Sequence, residues 1–370
     1  MTALASRRLK HFAQRISTAL VASLLLTLSP SVTQSQTGLA TLDGKPPLVI
    51  AHRGASGYLP EETLEAYLRA IELGADVIEM DLVSTKDGVL ITRHDANLAI
   101  STDIAQRPEF ASRRKSVMVD GETQTGWFSH DFTLAEIRTL GAISTDPERP
   151  QQFNGLYKVP TFQEVVDLVK SHSARGGRSV AIYPETKHPT HFRMLGLAME
   201  DKLIAILESA GWNSKQAPVL VQSFEPGSLQ YMRSKGLKTR VVQLIGGGRP
   251  YDWTVAGDSR NYAFMTTAAG LAEIKTYADG IGPWKGLVIG SNTGATPGPP
   301  SRLVADAHAA RLFVHPYTFR NEQRRLAPAY QGNPQLEYLA FYRAGVDGVF
   351  TDFPDTAIAA RAQFLKNLGY

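Results

Sequence analysis

The sequence predicts an α/β protein assembled from parallel βα units. Three observations predict it. Short apolar runs of strand length recur from residue 46 onward, and helix-period segments lie between several of them. The polar, chemistry-bearing clusters stand at the ends of those runs.

The leader comes first in the chain. Residues 1–15 carry Arg7, Arg8, Lys10 and Arg15 and no acid, and residues 16–28 are uncharged and include Leu24, Leu25 and Leu26. Pro30 and the small or polar Ser31, Thr33 and Ser35 follow. A basic stretch, a short apolar stretch and a small-residue exit have the anatomy of a secretory signal. The apolar part is too short to span a bilayer comfortably, although an uncleaved anchor is the alternative. The expectation is a signal peptide over residues 1–36, cut between Ser31 and Gln36, and a protein exported to a periplasm or beyond. Nothing later in the chain offers a membrane segment, so no stable membrane insertion is expected.

Strand-length runs then fall at residues 48–51, 77–82, 89–92, 180–183, 219–222, 240–245, 280–282, 312–315 and 348–351. Helix periodicity occupies 63–73, 161–170 and 191–210. Nine runs are one too many for an eight-stranded barrel, so one of them is peripheral. Residues 97–155 break the rhythm and read as an insertion after the third strand, within a barrel domain made of 46–96 and 156–370. Inside the insertion, Thr133 and Glu136 have capping-box spacing and open a short helix. Residues 291–300, with Gly294, Pro297, Gly298, Pro299 and Pro300, read as a surface loop.

Composition excludes several functions. The chain has 370 residues, 43% apolar and 20% charged, which is globular composition with enough apolar surface for a large core. It has no cysteine, which excludes disulfides, thiolate metal sites, cysteine nucleophiles and a lipidated N-terminal cysteine. The formal charge of +4 belongs to the leader: without its four basic residues, 35 basic residues face 35 acidic ones. A nucleic-acid partner gains no electrostatic support.

Four clusters carry the chemistry: His52-Arg53-Gly54, Glu79-x-Asp81, His94-Asp95 and Glu185-x-Lys187. Side chains alternate along a strand, so Val77, Glu79 and Asp81 share one face while Ile78, Met80 and Leu82 share the other. Two inward carboxylates repel each other and lose hydration, so something positive must offset them. Carboxylates converging from two strands (Glu79, Asp81, Glu185) suit a hard divalent ion, Ca²⁺ or Mg²⁺, better than zinc. The structural alternative is a network in which Arg53 and Lys187 alone neutralise them. His52 and His94 are the candidate acid and base. Arg53 and Lys187 are suited to hold an anion, phosphate above all. Phe224, Trp284, Tyr317, Phe319 and Phe350 lie near strand ends, where they would line the mouth or pack the barrel. His315, also at a strand end, reads as structural.

The run AHRGASGYLPEETLEAYLRAIELGADVIEMDLVSTKDGVLITRHD (51–95) closely resembles the opening of the bacterial glycerophosphodiester phosphodiesterases, the periplasmic branch above all. IYPETK (182–187), VQSF (221–224), VVQLI (241–245), YADGIGP (277–283), LFVHPYTFR (312–320) and GVFTDFPD (348–355) agree in order. The resemblance implies a TIM-type (β/α)8 barrel with an inserted segment after the third strand. It implies hydrolysis of a small-molecule glycerophosphodiester, such as glycerophosphocholine or glycerophosphoethanolamine, to an alcohol and sn-glycerol 3-phosphate. It places the catalytic histidines on His52 and His94. The metal carboxylates fall on Glu79, Asp81 and Glu185, and the phosphate-contacting cations on Arg53 and Lys187. It also implies one divalent cation, with Ca²⁺ favoured and Mg²⁺ possible. The family's P-E-N-T segment is Pro60-Glu61-Glu62-Thr63 here, so Glu62 stands where Asn or His is usual. Two other readings remain at this stage. One is a related barrel phosphodiesterase acting on intact phospholipid, of the sphingomyelinase D or phosphatidylinositol phospholipase C kind. The other is an exported binding protein that has lost catalysis.

Overall fold

Eight parallel strands wrap around one axis in the computed structural model, which describes residues 38–290 and 298–370. The leader and most of the 291–300 loop lie outside the described residues. The strands are β1 (Leu48–Ala51), β2 (Val77–Ser84), β3 (Leu90–Thr92), β4 (Lys115–Val119), β5 (Glu122–Gly126), β6 (Ala181–Thr186), β7 (Leu220–Ser223), β8 (Arg240–Ile245), β9 (Gly280–Pro283), β10 (Phe313–Val314) and β11 (Gly348–Thr351). Around the barrel the order is β1, β2, β6, β7, β8, β9, β10, with β11 paired back in register to β1. Four backbone bonds among the described residues join the β10 segment to the β11 segment: Asp347 N to Val314 O at 2.9 Å, Phe350 N to Pro316 O at 3.0 Å, Phe319 N to Phe350 O at 2.8 Å and Asp352 N to Phe319 O at 3.1 Å.

The peripheral ninth strand is β3. It runs antiparallel to the outer end of β2, with Leu82 opposite Thr92. Its role is to turn the chain so that His94 returns to the mouth of the barrel.

Alternation along β2 sorts the two cores. Ile78, Met80 and Leu82 join the apolar layer under the helices. Val77 joins Ile50, Tyr183, Leu220, Val242 and Phe350 inside the lumen. These six plug the barrel below the carboxylates, and burying each large member contributes about 1.5–3 kcal/mol. His315 belongs to this plug: it is buried, with Nδ1 3.4 Å from the Tyr183 hydroxyl, and burial lowers its pKa to about 4.

The helix at Leu64–Glu72 starts at Thr63, whose hydroxyl accepts from Ala66 N. Phe162–Ala174 starts with a full Thr161/Glu164 capping box. The helix expected over 191–210 is instead two, Pro189–Met194 and Glu200–Ser209. Gly196 between them has φ +71°, a left-handed turn that ends the first helix.

The insertion holds 3₁₀ turns, the β4–β5 hairpin and the capped helix Leu134–Ile137. The hairpin turns on Asp120-Gly121, both at positive φ, a two-residue loop that the Asp-Gly pair favours. Phe110, Trp127, Phe128, Phe132, Ile137 and Leu140 bury into the same apolar layer as the barrel helices. The chain then crosses back over the barrel mouth, where Thr145 Oγ1 donates to Glu61 Oε2 at 3.0 Å.

Candidate active site

Strand register builds the site. Asp81 on β2 pairs with Glu185 on β6, and Glu185 pairs with Gln222 on β7, so three polar side chains lie in one row near the C-terminal ends of the strands. Glu79 sits one inward position lower, opposite Tyr183. β6 extends to Thr186, so Glu185 is held on the sheet itself and not on a loop beyond it.

The loop after β1 folds over this row. Gly54 has φ +82°, and a Cβ there would lie 2.7 Å from the Ala66 carbonyl carbon, so the loop packs directly on the first helix. Arg53 and Glu62 also take positive φ, 57° and 62°. Such conformations cost non-glycine residues about 1–3 kcal/mol each. The turn at Arg53 aims its backbone N–H at Glu79 Oε2, 2.8 Å away. Its guanidinium reaches Glu61 Oε1 at 3.0 Å, and its Nε lies 3.1 Å from Asp81 Oδ2.

Glu62 is fully buried. Its Oε1 accepts from Asp81 N at 2.9 Å and its Oε2 from the Tyr67 hydroxyl. Ligand atoms of Glu62, Glu79 and Asp81 all lie within 4.8 Å of one another. Glu185 Oε1 instead lies 3.1 Å from Lys187 Nζ. The position that departs from the family motif therefore carries a carboxyl into the acidic group.

Burial, then the charge of Asp81, pushes Glu62 and Glu79 well above the usual carboxylate range. Burial opposes ionisation of Asp81 too, but Lys187 and Arg53 outweigh it and hold Asp81 low. Burial takes Glu185 up to about 8 against the pull of Lys187. Buried Gln222 Oε1 receives no hydrogen bond among the described residues, and buried Asp81 Oδ2 has the Arg53 Nε ion pair but no well-aligned hydrogen bond. Crowded carboxyls and an orphaned oxygen are the donor set of a hard divalent cation, which would replace protons as the neutralising charge. The residues present fit such an ion.

Two imidazoles face this corner. His52 follows β1, and its Nδ1 is 2.6 Å from Asp352 Oδ1. His94 follows β3, with Nδ1 3.0 Å from Asp95 Oδ2 and Nε2 3.1 Å from Lys187 Nζ. An ammonium only donates, so the His94 Nε2 in that contact is the lone-pair nitrogen and Nδ1 carries the hydrogen. The same logic at Asp352 leaves the Nε2 of neutral His52 as its open nitrogen. Burial, then Arg53, lowers the pKa of both rings, and Lys187 lowers His94 further. Asp352 acts the other way on His52.

Asp352 lies in GVFTDFPD, where the sequence alone assigns it no role. It follows β11, and besides His52 it accepts from Arg149 Nη2 and from Arg320 Nε at 2.8 Å. Burial works against its ionisation, but His52 and the two guanidinium groups hold it well below the usual carboxylate range. The strand-end rule that found the other clusters also points to Asp352. Gln222, which donates to Glu79 Oε1 at 3.1 Å, lay unassigned in VQSF. No sequence signal singled out Arg149.

A cavity of about 490 Å³ opens over these groups. It is lined by all seven predicted polar residues, His52, Arg53, Glu79, Asp81, His94, Glu185 and Lys187. Phe224, Trp284, Tyr317 and Phe350 also line it. Phe319 does not: it is buried, stacked on Tyr338 at 5.0 Å and edge-on to Phe341 at 4.8 Å, and so packs the helix layer.

Comparison with known proteins gives a consistent result. The model of the glycerophosphoryl diester phosphodiesterase family matches residues 52–356. The glycerophosphodiester phosphodiesterase GDPD6 of Arabidopsis thaliana is 41% identical over 322 residues, 83% of this chain and 84% of the relative. The Bacillus subtilis glycerophosphodiester phosphodiesterase is 36% identical over 318 residues, again 83% and 84%. Among solved structures, one from Silicibacter pomeroyi, named for glycerophosphoryl diester phosphodiesterase, superposes with TM-score 0.62 at 22% identity, covering 88% of this chain and 98% of the other. A phosphodiesterase of Oleispira antarctica, solved with the product sn-glycerol-3-phosphate, gives 0.57 at 19% identity, covering 86% and 98%.

Proposed function

The chain belongs to the glycerophosphoryl diester phosphodiesterase family and is a phosphodiester hydrolase, and on that premise we propose that it cleaves glycerophosphodiesters to an alcohol and sn-glycerol 3-phosphate with His52 and His94 as acid and base. The observation that carries this reading is the pair of imidazoles, each held at Nδ1 by a carboxylate, lining one cavity of mixed charge. The product in the Oleispira antarctica relative is the glycerol phosphate this reaction releases.

Glu79, Asp81 and Glu185 would hold one divalent cation, with the Glu62 carboxyl, which lies within reach of Glu79 and Asp81, beside them. Hard oxygen donors favour Ca²⁺, or Mg²⁺. When bound, the ion neutralises these carboxylates and draws charge from the phosphate oxygens.

Arg53 and Lys187 grip the non-bridging oxygens of the diester. His94, the ring on which Lys187 opposes protonation, takes the proton of the glycerol hydroxyl next to the ester at Nε2, the nitrogen Lys187 releases as it turns to the phosphate. That oxygen attacks phosphorus. His52, whose protonation Asp352 favours against the opposing effects of burial and Arg53, gives its proton to the departing alcohol. The cyclic phosphate is opened by water with the two rings exchanging roles. Attack from within the substrate supplies on the order of 7–11 kcal/mol at best in effective molarity.

The insertion at 97–155 and the barrel segments 46–96 and 156–370 act as one catalytic domain. Residues 1–36 direct export, so the enzyme works in a periplasm or outside the cell. Among the described residues no helix is long and apolar enough to cross a membrane.

A coupled assay for released glycerol phosphate tests the proposal. Glycerophosphocholine and glycerophosphoethanolamine are expected to yield it. Turnover of sphingomyelin or intact phosphatidylinositol in their place would overturn the reading.

A further inference from the structure

Charge is divided across the barrel mouth. The carboxylates lining the cavity, Glu79, Asp81 and Glu185, stand on β2 and β6. In the strand order β9 is the fourth strand round from β2, so it faces β2 directly across the lumen. The segments following β9 and β10 line that opposite side with four cations, Lys285, Arg320, Arg324 and Arg325, and no acid.

These cations are anchored from behind. Lys285 Nζ is 2.8 Å from Glu337 Oε1, and Arg320 Nε is 2.8 Å from Asp352 Oδ2. Arg324 gives Nε to Glu148 at 2.7 Å and Nη2 to Asp146, and Arg325 Nη2 lies 3.6 Å from Asp146. None of those four acids lines the cavity. The anchors fix the side chains and leave guanidinium N–H groups, such as Arg320 Nη1 and Nη2, without a hydrogen-bond partner among the described residues. A recess of about 370 Å³ continues from here, sharing Trp284, Lys285, Arg324 and Arg325 with the main cavity and holding Glu337, the partner of Lys285, in its wall.

The reacting phosphate is already matched by Arg53, Lys187 and the cation corner. Each of the four further cations has an acid behind it, and the N–H groups those acids leave open, such as Arg320 Nη1 and Nη2, are free to take a ligand in the mouth. We infer that this side of the mouth selects glycerophosphodiesters whose leaving alcohol carries a second phosphate. The inference rests on the proposed function and narrows its substrate class. A choline or ethanolamine cation would meet like charge there. A phosphate would meet forked donors suited to it.

The test is a matched pair of substrates, glycerophosphoglycerol and the same compound phosphorylated on its far hydroxyl. The phosphorylated one is expected to have kcat/KM about tenfold higher or more, expressed mainly in KM, with the ratio shrinking as salt rises. Arg325→Gln removes a cation whose anchor is loose while Arg324 still holds Asp146, so the fold is kept, and the ratio is expected to fall about threefold or more. Arg324→Gln with Arg325→Gln is expected to bring it near one. Equal kcat/KM for the two substrates in the parent enzyme, or a ratio indifferent to both salt and Arg325→Gln, overturns the inference while leaving the hydrolase reading intact. Turnover of neither substrate counts against the hydrolase reading itself.

Discussion

Arg149, carried by the inserted segment, donates from Nη2 to Oδ2 of Asp352, the carboxylate that holds Nδ1 of His52. The same guanidinium gives Nη1 to Ser56 O at 3.1 Å and Nε to Glu322 Oε1 at 2.8 Å. One buried side chain thereby ties the loops after β1, β10 and β11 around the support of one imidazole. Removing one partner of a buried ion pair costs about 3–5 kcal/mol, because the other charge stays behind unpaired. Arg149→Ala is expected to lose stability toward the low end of that range, since Arg320 remains on Asp352. Urea unfolding checks this, and Arg149→Lys is expected to recover only part of the loss because it lacks the fork.

Asp352→Asn keeps the shape and removes the charge that orients His52. The expected loss in kcat is on the order of 10²–10⁴, with KM changing far less. A kcat within a factor of three of the parent would show that Asp352 serves packing alone.

His52→Ala and His94→Ala are each expected to lower kcat by on the order of 10²–10⁴ or more while unfolding like the parent. Steady-state rates on one glycerophosphodiester decide it. If either variant keeps most of its activity, the two-histidine scheme is wrong.

Chelation with EDTA is expected to silence the enzyme, and Ca²⁺ or Mg²⁺ to restore it. Glu185 is pushed up to about 8, so without a cation it largely holds a proton at neutral pH, and Glu79 is shifted in the same direction. Cation binding at pH 7 is therefore expected to release protons, with the release from Glu185 fading above pH 8. Calorimetry in buffers of different ionisation enthalpy reads this directly. Full activity in thoroughly stripped protein would leave Arg53 and Lys187 as the sole neutralising charges.

The ascending limb of kcat/KM against pH reports the ring that must be unprotonated. Burial, then Arg53 and Lys187, holds His94 well below the ordinary histidine value of 6.5, so the limb is expected below that pH. Lys187→Met removes a cation that opposes protonation. The His94 pKa then rises and the limb moves to higher pH. A limb that stays in place under Lys187→Met would remove His94 from the role of base.

Local pattern carried the strands and much of the site. Alternation from Val77 to Leu82 needed no tertiary information to assign faces, because a strand's period is two. The capping boxes at Thr133 and Thr161 are equally local, whereas the break at Gly196 lies in a stretch whose periodicity is otherwise helical. The Asp120-Gly121 turn of the insertion is likewise a local signal.

The sequence by itself determined the parallel βα architecture, the strand-end positions of His52, Glu79, Asp81, His94, Glu185 and their cations, and the family resemblance. These follow from periods and neighbours along the chain. Only the tertiary structure decided that Asp352 and Arg149 support His52, that Glu62 enters the acidic group, and that Lys285, Arg320, Arg324 and Arg325 face the carboxylates across the mouth. Barrel closure brings together residues hundreds of positions apart, and no local period records which loops will meet.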